Sequence, residues 1–173
     1  MKLRQLGLTL VEGMAFLGVA ASVLVGTMAL YKIADTTQKT TDLQAGLLEM
    51  RRIANEYRLG YGSYTGFTHT LVINSNRVPG GWGVDTTNGW MTHQFNNGAV
   101  VAGPLSGGAT YHVSTGSVPS NVCVEMALAA SEWTDVLIGP NAATLTTYTV
   151  PISAASAETA CTGTANRYMR YRN

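Results

Sequence analysis

From Leu8 to Tyr31 nearly every position is apolar or small, and Glu12 is the one charge. The stretch has no polar face. A helix apolar all round must be covered by other apolar groups, either a protein core or lipid. At ~1.5 Å per residue these positions span roughly 36 Å, enough to cross a hydrocarbon layer of ~30 Å. From Lys32 the pattern turns periodic. Leu43, Leu47, Met50, Ala54 and Tyr57 recur at helical steps and mark one apolar face. Asp35 with Lys39, and Arg52 with Glu56, stand four apart on the other faces. Proline is absent from Lys32 to Arg58, Gly46 is the sole glycine there, and Gly60 and Gly62 end the pattern. One helix from Leu8 to about Arg58 is predicted, roughly 75 Å long.

Beyond Tyr64 the periodicity shortens. Thr70–Ile73, Ala99–Ala102, Tyr111–Ser114, Val136–Ile138 and Thr146–Ile152 read as strands, with a last strand over Asn166–Arg172. Pro79-Gly80-Gly81, Gly107-Gly108 and Gly139-Pro140-Asn141 read as turns. Ser120 is expected to cap a helix over Asn121–Trp133, and Ser153 a shorter one ending at Gly163. The predicted class is α+β: a long N-terminal helix packed on an antiparallel sheet. The expected divisions are a leader at 1–7, the helix at 8–59 with its membrane part at 8–31, and a globular head at 60–173.

Charge sharpens this division. The last lysine is Lys39, and the remainder is rich in Gly, Thr, Ser, Asn and Ala. Net charge is +1 and no basic run occurs, so nucleic acid is not an indicated partner. Cys123 and Cys161 both fall in the head. In a cytosolic protein they would be two buried thiols; outside the cytoplasm they would form one bridge.

The N-terminus decides the compartment. Lys2 and Arg4 precede the apolar span and few cations follow it closely, which holds the leader in the cytoplasm and directs the rest outward. The apolar run Gly13–Tyr31 is longer than a secretory signal's core of ~7–15 residues. A plain anchor would explain that length but not Glu12, since a carboxylate near hydrocarbon is costly and usually functional. The run Gly7-Leu8-Thr9-Leu10-Val11-Glu12 resembles the processing signal of type IV prepilins. In that signal a short basic leader ends in Gly, and Glu is the fifth residue after it.

That resemblance implies cleavage by prepilin peptidase between Gly7 and Leu8, followed by N-methylation of Leu8. It implies a lollipop-shaped pilin fold, with a disulfide-bounded C-terminal region joined by Cys123 and Cys161. Glu12 would pair with the Leu8 amine of a neighbouring subunit during assembly. Gly13, Gly18 and Gly26, with Ala15, Ala20 and Ala21, are small enough for helices to approach closely in a bilayer or filament core. The proline that many type IVa pilins carry in this helix is missing; Ala29 stands near its place. Three patches are similar to type IVb pilins of the bundle-forming, toxin-coregulated and conjugative thin-pilus kind. They are Asn74-Ser75 through Val78-Pro79 followed by Asp85-Thr86-Thr87-Asn88, then Cys123-Val124-Glu125-Met126-Ala127, and Ala157-Glu158-Thr159-Ala160-Cys161. Leu8 in place of the type IVa Phe agrees; the seven-residue leader is shorter than type IVb leaders usually are.

His69, His93 and His112 are scattered, without zinc spacing, and no nucleophile or phosphate-loop motif occurs. Gly80-Gly81-Trp82-Gly83 reads as a turn anchored by one aromatic. Neither catalysis, a metal nor a cofactor is therefore expected. The expected role is a pilus subunit for adhesion, aggregation or mating contact. Its partners would be copies of itself, prepilin peptidase, inner-membrane assembly machinery and, before assembly, lipid. Its place would be first the inner membrane, then the extracellular filament. The alternatives are a minor pilin or type II secretion pseudopilin, and a membrane-anchored binding protein that never polymerises. The sparse acidic residues of the head argue against a calcium-binding pseudopilin loop.

Overall fold

A computed structural model describes residues 10–163 and 166–173. The chain divides into two compact units, Met1–Gln38 and Lys39–Asn173. Helix α1 (Leu10–Tyr61) is 52 residues long, close to the predicted span. Its part in the first unit is a single run of helix with its large apolar side chains exposed.

In the second unit the periodic face of α1 is buried as expected: Leu43, Leu47, Met50 and Ala54 join the core, with Ile53 beside them. Tyr57 is half-buried and its hydroxyl donates to the Thr65 carbonyl at 2.9 Å. On the opposite side Arg52 pairs with Glu49 at 2.8 Å and with the predicted partner, Glu56.

The rest of this unit is one antiparallel sheet with small helices. Its elements after α1 are α2 (His69–Asn74), β1 (Gly83–Asp85), β2 (Trp90–His93), β3 (Gly98–Leu105), β4 (Thr110–Val118), α3 (Ser120–Leu128), β5 (Asp135–Asn141), β6 (Thr144–Thr149), α4 (Ala154–Cys161) and β7 (Arg167–Arg172). Strand order is β1-β2-β3-β4-β7-β5-β6, so the last strand of the chain lies inside the sheet between β4 and β5. Val113 and Thr115 pair with Tyr171 and Met169, which pair in turn with Val136 and Ile138. All six are buried on one face, whereas Arg170 and Arg172 alternate onto the other. A run of rings fills this core: Tyr64 to Tyr111 at 4.7 Å, Tyr111 to Trp133 at 6.0 Å, and Trp133 to Tyr171 at 5.4 Å between centroids.

Several local expectations are corrected. Thr70–Ile73 is helical, not a strand. Thr68 caps it by accepting from the Leu71 N–H at 3.2 Å, and only Val72 of the helix is buried. β1 and β2 were not anticipated; Asp85 builds the turn between them, its carboxylate accepting from the N–H groups of Thr87 and Asn88. Gly139-Pro140-Asn141 belongs to the end of β5, where the register with β6 shifts. The reversal comes later, with Asn141 Oδ1 accepting from the N–H groups of Ala143 and Thr144, both at 3.0 Å. Helix α3 stops at Leu128, and a 3-10 turn covers Ala130–Glu132. Ser120 is its first residue, not its cap, and its hydroxyl donates to the Gly163 carbonyl at 2.7 Å. Ser153 does cap α4, accepting from the Ser156 N–H at 3.2 Å. That helix ends at Cys161 and β6 at Thr149, each short of its predicted end.

Candidate functional site

The residues singled out by the sequence fall into two groups. Gly7 and Leu8 lie outside the described residues. Glu12 stands in the first turn of α1, where the helix dipole favours a carboxylate, and its side chain is exposed on the chain. After it comes a surface of bare hydrocarbon: Phe16 is 72 % exposed and Tyr31 74 %, with Leu17, Val25 and Leu30 between them. None of the most apolar stretch of this helix is buried. Its hydroxyls are turned inward on the helix itself. Ser22 donates to the Gly18 carbonyl at 2.8 Å and Thr27 to the Leu24 carbonyl at 2.9 Å, so neither needs water.

The glycines of α1 sort by what surrounds them. A Cβ added at Gly13, Gly18 or Gly26 would meet nothing within 4 Å. A Cβ at Gly46 would run into the indole of Trp82. Gly46 is therefore explained by packing within the second unit, and the three earlier glycines have no such neighbour among the described residues. This relation was hidden in the sequence; the signal was that Gly46 is the one glycine between Lys32 and Arg58.

In the head, Cys123 on α3 and Cys161 on α4 form a disulfide between Cα atoms 5.7 Å apart, within the ordinary range for such a bridge. Both are buried, flanked by Val122 and Ala157, so the bridge closes the core where the two helices meet. The Ser120–Gly163 hydrogen bond ties the same two ends. The Asp135 carboxylate accepts from Arg172 Nε and Nη2, at 2.5 and 2.7 Å, and fastens the final strand to β5. That carboxylate holds the Arg172 guanidinium above its usual range. Arg51 on α1 pairs with Glu132 at 2.5 Å.

The histidines serve the sheet. His93 is buried, its Nε2 at 2.7 Å from the Gly116 carbonyl and its Nδ1 accepting from the Phe95 N–H at 3.2 Å. That pairing requires the neutral ring with the proton on Nε2, and burial pushes its pKa down. Burial also pulls His112 down to about 4, with Arg170 and His69 adding repulsion. His69 has its Nδ1 3.2 Å from the Ala102 carbonyl. Among the described residues no three His, Cys, Asp or Glu side chains gather where they could hold a metal ion.

The comparisons agree with this arrangement. The family model described as PilS N terminal matches residues 30–170. The chain is 28 % identical over 123 residues to the major structural subunit of bundle-forming pilus of Escherichia coli O127:H6, covering 70 % of this chain and 63 % of that protein. The same figures hold for the subunit of that name from Escherichia coli O111:H-. The chain thus spans about 63 % of the length of these relatives. Its fold is similar to the crystal structure of TcpA, a type IV pilin from Vibrio cholerae El Tor biotype. The TM-score is 0.57 at 11 % identity, over 79 % of this chain and 99 % of that one. An apolar N-terminal helix, an antiparallel head with its last strand inside the sheet, a buried α3–α4 disulfide and the matching family model lead to one conclusion: the chain belongs to the PilS N-terminal family and is a type IVb pilin.

Proposed function

We propose that this chain is a structural subunit of a type IV pilus, made as an inner-membrane precursor and polymerised through α1 into an extracellular filament. Prepilin peptidase cuts after Gly7 and methylates Leu8, and inner-membrane assembly machinery takes up the product. Glu12 pairs with the Leu8 amine of a neighbouring copy. In a water-poor setting that pairing removes the cost of an uncompensated carboxylate and selects the axial register. The observation that carries the reading is the contrast among the glycines. Among the described residues a Cβ at Gly13, Gly18 or Gly26 would meet nothing within 4 Å, on a helix whose large apolar side chains are exposed. Small residues on such a helix admit close approach of other helices. The named relatives are structural subunits, which supports a role without catalysis.

The test is expression of the chain in a host lacking its own copy, followed by shearing, electron microscopy and mass spectrometry. Filaments built of a subunit beginning at Leu8 are expected. A subunit that stays in the membrane at full length, with no filament, overturns the proposal.

A further inference from the structure

The sheet ends in two edges of opposite character. β1 is three residues long and ends in Asp85, whose carboxylate is held below its ordinary range by hydrogen bonds from Asn88 and Thr87. β6 is six residues long, and among the described residues it has a partner strand, β5, on one side only. Thr144, Thr146, Thr147 and Thr149 are all exposed, while Leu145 and Tyr148 are half-buried. No charged residue occurs from Val136 to Ala157. An edge strand presents a row of open N–H and C=O groups, which proteins usually blunt by shortness, charge, proline or a bulge. β1 has shortness and a carboxylate. β6 has no charge or proline in its span, and the one register shift beside it lies at its first residue.

We propose that β6 is the contact surface for β6 of a second copy of this chain, the two strands pairing antiparallel so that two sheets become one. This rests on the filament-subunit reading above. The same edge can extend a sheet through itself only antiparallel, about a two-fold axis perpendicular to the sheet. Residues opposite one another then share a face, so the register centres on one residue meeting its own copy. Centred on Thr146 or Thr147, it sets threonine against threonine, a favourable cross-strand pair. An uncharged strand also meets itself without like-charge repulsion. β1 of another copy fits less well, having three residues and a carboxylate. A two-fold contact closes after two copies and cannot propagate a polar filament. It therefore joins subunits of two neighbouring filaments. One such pairing is weak; repeated along two filaments it becomes strong through multivalency.

The experiment uses sheared filaments of the full chain. Wild-type filaments should associate side by side, seen by electron microscopy and by sedimentation at low speed. Filaments of the Thr146→Lys, Thr147→Lys variant should keep their number and width and lose that association. Mixing them with Thr146→Glu, Thr147→Glu filaments should restore it, which general damage to the head would not do. The inference is overturned if wild-type filaments remain single, if the lysine variant associates like wild type, or if the mixture stays dispersed. A lysine variant that makes no filaments also overturns it, since the edge then serves inside the filament. Absence of filaments from the wild-type chain removes the subunit reading itself.

Discussion

Gly46 and Trp82 occupy each other's space: the indole lies where a Cβ on residue 46 would stand, so the helix accepts the tryptophan only because that position carries none. Trp82 thereby anchors the Pro79–Gly83 turn to α1, with its backbone N–H donating to the Pro79 carbonyl at 3.2 Å. Two effects oppose one another in Gly46→Ala. Helix propensity gains about 1 kcal/mol, while overpacking a filled site costs about 1–3 kcal/mol, and more when backbone must shift. The contact is with a ring packed into the core, so overpacking wins. The variant should unfold at lower temperature in detergent, whereas Gly18→Ala, which meets nothing, should leave that transition in place. An equal or higher transition for Gly46→Ala would show that the indole moves aside freely.

Cys123 and Cys161 close a loop with a sequence separation of 38. The loop-entropy model assigns such a closure about 4 kcal/mol, a large share of a typical domain stability of about 5–15 kcal/mol. Cys161→Ser should lower subunit abundance or abolish filaments. Peptide mapping of wild-type protein without reductant should recover the two cysteines joined in one chain. Two free thiols, or a covalent dimer, would contradict the assignment.

The histidines give stability a direction with pH. Both His93 and His112 titrate lower in the folded chain than the ordinary 6.5, each chiefly through burial. Between pH 6.5 and about 4 the unfolded chain therefore binds more protons than the folded one, and stability falls as pH falls through that window. Protonating His93 would also set an N–H against the Phe95 N–H that it now accepts from. The urea midpoint of the head should drop between pH 7 and pH 5, and His112→Gln should flatten part of that slope. A midpoint independent of pH in this range would defeat the reading.

In the proposed processing, a residue with no Cβ at position 7 would let the backbone approach the peptidase closely. Gly7→Val should leave full-length precursor in the membrane fraction, read by mass spectrometry of the N-terminal peptide. Normal cleavage of that variant would move the scissile bond elsewhere.

Glu12→Val removes a carboxylate from the first turn of α1 without disturbing the head. The protein should be stable and cleaved, yet yield few or no filaments when it is the sole copy. Wild-type piliation by Glu12→Val would remove the pairing role.

What could be read directly from the chain was what short range decides. The unbroken apolar run, the four-and-three spacing of Leu43, Leu47, Met50 and Ala54, and the Ser153 cap are each written within a few residues, and each stands in the structure as expected. The run Gly7–Glu12 and the two cysteines carried the resemblance to the family, because that resemblance rests on particular residue types at particular places. Pairing between distant strands was decided only by the tertiary structure. Thr70–Ile73 has the composition of a strand, yet without a neighbouring strand it follows the Thr68 cap into a helix. Gly83–Asp85 and Trp90–His93 are too short to announce themselves and become strands by pairing across the turn that Asp85 builds. β7 ends the chain but enters the sheet between β4 and β5, where its buried Met169 and Tyr171 find partners on both sides. Nothing near Gly46 in sequence predicts Trp82. A helix reports its period locally, whereas a sheet, a bridge and a ring against a glycine exist only once residues far apart in the chain have met.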